Sequence, residues 1–151
     1  MYKRILVPTD GSDTATAGLR EAIKLAKDQN AQIRLIHVVD ELVMVSPHMY
    51  GLVMDNVVAN LCAAGRSVLS SAQELVRQAG VTVDTQLVEA FGGRAAEHIV
   101  TAAQDWHADL IVCGTHGRRG LRRIVLGSDA EYIVRRSPVP ILLVRAIGSE
   151  T

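Results

Sequence analysis

KRILVPTDGSDTATAGLREAIKLAKDQNAQIRLIHVV, residues 3 to 39, holds two short apolar runs on either side of a stretch with helical spacing. Lys3 to Val7 is a strand-like run that Pro8 ends, and Thr9, Asp10, Gly11 and Ser12 supply turn chemistry. From about Asp13 to Gln29 the residues Leu19, Ala22, Ile23 and Ala26 recur as one face of a helix, with Arg20, Lys24 and Lys27 on the wet face. Ile33 to Val39 is rich in β-branched residues and nearly continuous in apolar ones, as a strand covered on both faces should be. Strand, helix and strand in this order predict a βαβ unit and hence a parallel sheet.

The same alternation continues. Residues 40 to 54 predict a long apolar loop, either a lid or contact surface or a segment folded back on the core. Val57, Leu61, Ala64, Val68, Ala72, Leu75 and Ala79 then step by three or four, and Gly80 ends what should be the longest helix. Thr82 to Glu89 alternates polar and apolar around Val83, Leu87 and Val88, which predicts an edge strand wet on one side. Gly92 and Gly93 open a third helix with Ala95, Ile99, Ala102, Ala103 and Trp106 along one face; Trp106 completes that stripe and reads as core or helix-end packing. Asp109 to Cys113 is a second fully buried strand, Ala130, Ile133 and Val134 make a short last helix, and Ile141 to Arg145 is the final strand.

Five strands and four helices in this sequence, with the polar third strand at an edge and the first and fourth central, give a five-stranded open parallel sheet of order 3-2-1-4-5. Helices cover both faces of this Rossmann-like α/β domain, which spans residues 1–151. The order reverses direction between the first and fourth strands, and ligands of open α/β sheets bind beyond the carboxyl ends at such a point. Asp10 and Gly114 both fall there.

Composition agrees with a single domain. A chain of 151 residues, 48% of them hydrophobic, builds one full core and is too short for two ordinary domains. Sixteen basic residues balance sixteen acidic ones, so no global field recruits nucleic acid or an anionic membrane. Cys62 and Cys113 sit in apolar contexts without CxxC spacing or histidines at metal spacing, which fits reduced thiols. The first residues run straight into strand-like sequence, and no run approaches the roughly 18 apolar residues of a membrane span. The expectation is a cytoplasmic protein.

GTHGRRGLRRIVLGSD, residues 114 to 129, is where glycine, positive charge and a helix start converge. Gly114, Gly117 and Gly127 allow positive φ and close approach to a ligand, and Ser128 is a good N-cap for the last helix. Free N–H groups and the positive helix end suit a phosphate, with Arg118, Arg119, Arg122 and Arg123 in the intervening loop.

With these features in place, the chain as a whole resembles the universal stress protein family. The resemblance rests on ILVPTDGSDTA at residues 5 to 15, IHVVD at 36 to 40 and the GTHGRRGLRRIVLGSDAEYIVRRSPVPILLVR close at 114 to 145. In the nucleotide-binding branch of that family, a glycine, two residues, a second glycine, nine residues, then Gly-Ser or Gly-Thr marks ATP binding. Gly114, Gly117, Gly127 and Ser128 match this pattern. The resemblance implies that Pro8, Thr9 and Asp10 line the adenosine end and that Val38 holds the adenine edge through its backbone. It further implies that Gly114, Thr115, His116 and Gly117, then Gly127, Ser128 and Asp129, wrap ribose and phosphates. Family members often carry a small or apolar residue where this chain has Asp129, whose carboxylate either opposes the γ-phosphate or assists the helix start.

Several residues have two readings. Asp10 either touches the nucleotide or its Mg2+, or closes an Asx-turn at the first helix. His116 touches phosphate or serves the turn, and Arg118 and its neighbours pair with phosphates or form a solvated surface. His37 reads as a satisfied core histidine and Cys113 as a small core residue near the pocket floor.

The expected function is a regulatory, stress-response protein that binds ATP, or ADP or AMP, with Mg2+, and whose residues 117–127 become ordered by the nucleotide. The alternatives are a slow ATP hydrolase or nucleotidyl transferase, and a flavin-nucleotide module. No Gly-Lys-Ser/Thr and no evident general base support turnover. The final strand, exposed at a sheet edge, predicts a homodimer through residues 139 to 145, as the family resemblance also implies.

Overall fold

The computed structural model describes residues 1–40, 52–90, 92–115 and 126–146. Its first strand, β1 (Arg4–Pro8), has Ile5, Leu6 and Val7 wholly buried in succession. Successive side chains of a strand point to opposite faces, so three buried neighbours require cover on both sides. The chain then runs α1 (Asp13–Gln29), β2 (Gln32–Asp40), α2 (Leu52–Gln78), β3 (Val83–Ala90), α3 (Ala95–Asp105), β4 (Leu110–Gly114), α4 (Ser128–Arg136) and β5 (Ile141–Val144). The strands pair in parallel in the order β3-β2-β1-β4-β5, which is the expected order.

Two cores sandwich this sheet. Ile5 and Val7 join Leu35, Leu19 and Ala22 of α1 and Leu69 and Val76 of α2 on one face. Leu6 and Ile36 join Ala96, Ile99 and Ala103 of α3 and Ile133 of α4 on the other. β3 is an edge with a largely wet surface, as its alternation suggests. No helix among the described residues is long and apolar enough to cross a membrane.

Helix ends depart from expectation in informative ways. α2 already contains residues 52–54, which the sequence assigns to the preceding loop; residues 41–51 lie outside the described residues. Gly80 does close α2, at φ +76°, with its N–H on the Arg77 carbonyl and that of Val81 on the Val76 carbonyl, the paired bonds of a Schellman cap. His107 and Asn30 take the same left-handed role after α3 and α1, with φ of 54° and 51°. Gly93, at φ +80°, turns the chain before α3, but the helix itself starts at Ala95 with Arg94 at its N-cap. Trp106 is the C-cap of α3 and packs against the second core. Its ring lies 4.6 Å beneath the Arg34 guanidinium, which grips Asp84 through bonds of 2.8 and 2.7 Å across β2 and β3.

Candidate functional site

β1 sends the chain to α1 on one face of the sheet, whereas β4 sends it towards α4 on the other. The two connections part and leave a crevice of about 600 Å3 beyond the carboxyl ends. Pro8, Thr9 and Asp10 line it from β1, Val38 from β2, and Gly114 and Thr115 from β4. Gly127, Ser128 and Asp129 line it from the start of α4. His116, Gly117 and Arg118 lie outside the described residues, as do Arg119, Arg122 and Arg123.

The β1 side of the crevice is fixed by backbone bonds. Thr9 continues the ladder by donating its N–H to the Ile36 carbonyl at 2.9 Å, and its own carbonyl accepts from Nδ1 of His37 at 2.7 Å. The carbonyl can only accept, so Nδ1 carries the proton. Asp10 Oδ1 accepts from the Ser12 N–H at 2.9 Å, closing the Asx-turn, and the residue still lines the crevice. Ser12 then caps α1 by accepting from the Ala15 N–H at 3.2 Å.

On the β4 side two expectations are corrected. Gly114 has no positive φ; a Cβ there would lie 2.6 Å from the Thr14 carbonyl oxygen, so glycine is required because α1 crosses the strand end at backbone distance. Gly18 lies over the same point, where its Cβ would be 3.2 Å from Gly114 N. Ser128 is the first residue inside α4 rather than its cap. Gly127 holds the cap position at φ −58° and ψ 151°, its N–H donates to the Thr115 carbonyl at 2.9 Å, and its carbonyl accepts from Glu131. Glu131 makes the first bond within the helix, so the N–H groups of Ser128, Asp129 and Ala130 have no helical acceptor and the positive end of the dipole meets the crevice.

The residues that the sequence did not single out make the apolar part of the wall. Ile36, Ala95, Ile99, Ala130 and Ile133 line the crevice. Of the charged side chains, Asp10 and Asp129 are those that line it among the described residues, and the Asp129 carboxylate is exposed in the first turn of α4. No group of three His, Cys, Asp or Glu able to hold a metal occurs among the described residues.

The universal stress protein family model matches residues 1–145. The chain belongs to this family. A universal stress protein of Methanocaldococcus jannaschii, MJ0531, is 37% identical over 149 residues, covering 96% of this chain and 83% of its own length. The solved structure of MJ0577, from the same organism, superposes with a TM-score of 0.85 at 30% identity over 99% of both chains. An Archaeoglobus fulgidus universal stress protein in complex with dAMP shares the fold at a TM-score of 0.71 and 22% identity, covering 94% of this chain and 97% of its own.

In this universal stress protein, His37 is the satisfied histidine the sequence suggests, yet it also lines the crevice. Its ring is pressed by α2, where a Cβ on Gly65 would fall 2.7 Å from His37 Cδ2. Cys113 forms part of the floor, and burial pushes its thiol up to about 11. Below pH 9.0 both folded and unfolded chains hold the neutral thiol; between 9.0 and about 11 the unfolded chain ionises first, so this contribution to stability is lost as pH rises through that window. The thiol of the native protein should therefore resist iodoacetamide at pH 8 and react only after denaturation. Stoichiometric labelling of Cys113 in the folded protein would contradict this.

Proposed function

We propose that this chain is a cytoplasmic ATP-binding regulatory protein of the stress response, with the nucleotide, ATP or else ADP or AMP, in the crevice at the β1–β4 switch point. One observation carries the reading: the start of α4, whose first N–H groups have no helical acceptor, lies at a crevice that also has an apolar side, formed by Ile36, Val38, Ala95 and Ile99. An anion-binding end and an apolar end in one crevice suit a phosphate and a base. The dAMP complex of the Archaeoglobus relative supports an adenine nucleotide. Asp10 sits beside the turn where a ribose or the nucleotide's Mg2+ would lie. Mg2+ keeps waters and phosphate oxygens as ligands, so it would arrive with the nucleotide rather than occupy a protein cage. Nucleotide occupancy is then read out through residues 117–127, whose flanks, Thr115 and Gly127, are already tied by their 2.9 Å bond. We further propose a homodimer through residues 139 to 145, since among the described residues β5 pairs with β4 alone and its four residues are half-buried.

Denaturing the purified protein and separating what is released tests the occupant directly. ATP or ADP supports the proposal, a flavin replaces it, and conversion of added ATP to ADP by the intact protein favours the hydrolase alternative. Gly127→Val tests the position. Valine tolerates φ −58° and ψ 151°, so the fold should persist, while the branched side chain crowds the start of α4. Calorimetry with Mg-ATP should show affinity reduced more than about tenfold, the scale of a lost charge-assisted contact. Wild-type affinity in this variant would overturn the assignment. Asp129→Asn should act in the other direction, tightening ATP by about threefold to tenfold, because it removes one exposed negative charge near the phosphates. Adenosine affinity should stay unchanged; an equal gain for both ligands would remove the carboxylate from the phosphate end.

A further inference from the structure

A second cavity, of about 280 Å3, lies in the seam between α1 and α2, on the face of the sheet covered by those helices. Leu19, Val68, Ala72 and Leu75 give it apolar walls, and Ser67 and Ser71, one helical turn apart on α2, bring hydroxyls to its rim. Gly11 marks one end, where the turn before α1 comes so near α2 that a Cβ would meet Val68 Cγ2 at 3.3 Å. No charged side chain lines the seam among the described residues.

Thr9 lies in the wall of this seam. Ile5 and Val7 point to the α1–α2 face, and Thr9 continues their extended run through its bond to Ile36, so its side chain emerges on the same face. It is the one buried polar residue among the described residues, 6% exposed, and its hydroxyl has no hydrogen-bond partner among them. The other threonine of the seam differs, because the Thr16 hydroxyl already donates to the Ser12 carbonyl at 3.0 Å. Buried hydroxyls are nearly always bonded, and an unsatisfied one facing a cavity signals a missing partner.

We propose that the seam is a second small-molecule site, taking an uncharged compound with a short aliphatic body and a hydroxyl that bonds Thr9 Oγ1. Size limits the body: an engineered cavity of about 150 Å3 holds benzene, so this seam admits a molecule of a few more heavy atoms. The lack of charge in its walls disfavours ions, and the apolar sides disfavour a chain of waters. Thr9 joins this site to the crevice, because it lines both. The inference does not rest on the nucleotide reading.

Titrating n-butanol into the 15N-labelled full-length protein tests it. Saturable amide shifts should concentrate at Thr9, Gly11, Ser67 and Ser71. Thr9→Val keeps the shape and removes the hydroxyl, and should weaken binding about threefold to tenfold, the range of one neutral hydrogen bond. Ser71→Leu fills the rim from an exposed helical position and should abolish the saturable shifts while the protein unfolds as cooperatively as wild type. Shifts that never saturate and spread over the whole surface, or equal midpoints in wild type and both variants, would overturn the proposal. So would a crystal structure grown with the alcohol that shows only water against Thr9.

Discussion

Gly114→Ala is expected to lower stability by about 3 kcal/mol or more, at the upper end of what overpacking a core costs. The added methyl group would meet the Thr14 carbonyl oxygen at 2.6 Å and its carbon at 2.7 Å, and both belong to backbone that no side-chain rotation can move away. Relief requires α1 to lift from β4, which uncovers Leu19 and Ala22 from the first core. Gly80→Ala is the control. Its Cβ would meet nothing within 4 Å, although φ is +76°, so only the left-handed backbone penalty of about 1–2 kcal/mol remains. Urea unfolding of both variants separates the two causes. A Gly114→Ala loss no larger than that of Gly80→Ala would mean that α1 adjusts at little cost.

Light scattering at micromolar concentration should give the mass of two chains, and Leu143→Pro should reduce it to one. The Pro140 and Val144 carbonyls accept from Ile111 and Thr115, on the β4 side. Strand groups alternate in direction with a period of two, so Leu143, out of phase with Pro140 and Val144, turns its N–H to the open edge. Proline there removes a donor from the edge and leaves the ladder to β4 intact, which is where sheets tolerate it. The monomer should stay folded, or aggregate if the uncovered edge finds other strands. A wild-type protein that remains a single chain on concentration would exclude the dimer, and a Leu143→Pro protein that stays dimeric would place the interface elsewhere.

The topology was legible because its signal is the crudest one available. Buried runs such as residues 4 to 8 and 110 to 114 can only be strands covered on both sides, and the polar third run can only be an edge. Capping was less legible. Serine is the better N-cap by preference, yet Gly127 takes that position in α4, where its N–H is bound to the Thr115 carbonyl, a non-local constraint with no signature in its neighbours. The same holds for His107, whose left-handed φ of 54° nothing in its neighbours announces. The strand order puts Gly114 beside the crevice and the glycine spacing ties it to a ligand, whereas the closest demand on it comes from Thr14, a hundred residues earlier in the chain. The apolar half of the crevice was illegible for a different reason: Ile36, Ile99 and Ile133 carry the same periodicity whether they face a core or an opening.

Thr9 and Thr115, on either side of the switch point, both donate their backbone N–H groups into the sheet, to Ile36 and Val144. Amides of this kind at the centre of a fold exchange with solvent only when the whole molecule opens, unlike those of surface turns. The strand ends that carry the crevice are therefore held by sheet bonds, and hydrogen exchange should find the Thr9 amide among the slow ones. A ligand entering at the strand ends of β1 and β4 meets backbone that the sheet already holds in place.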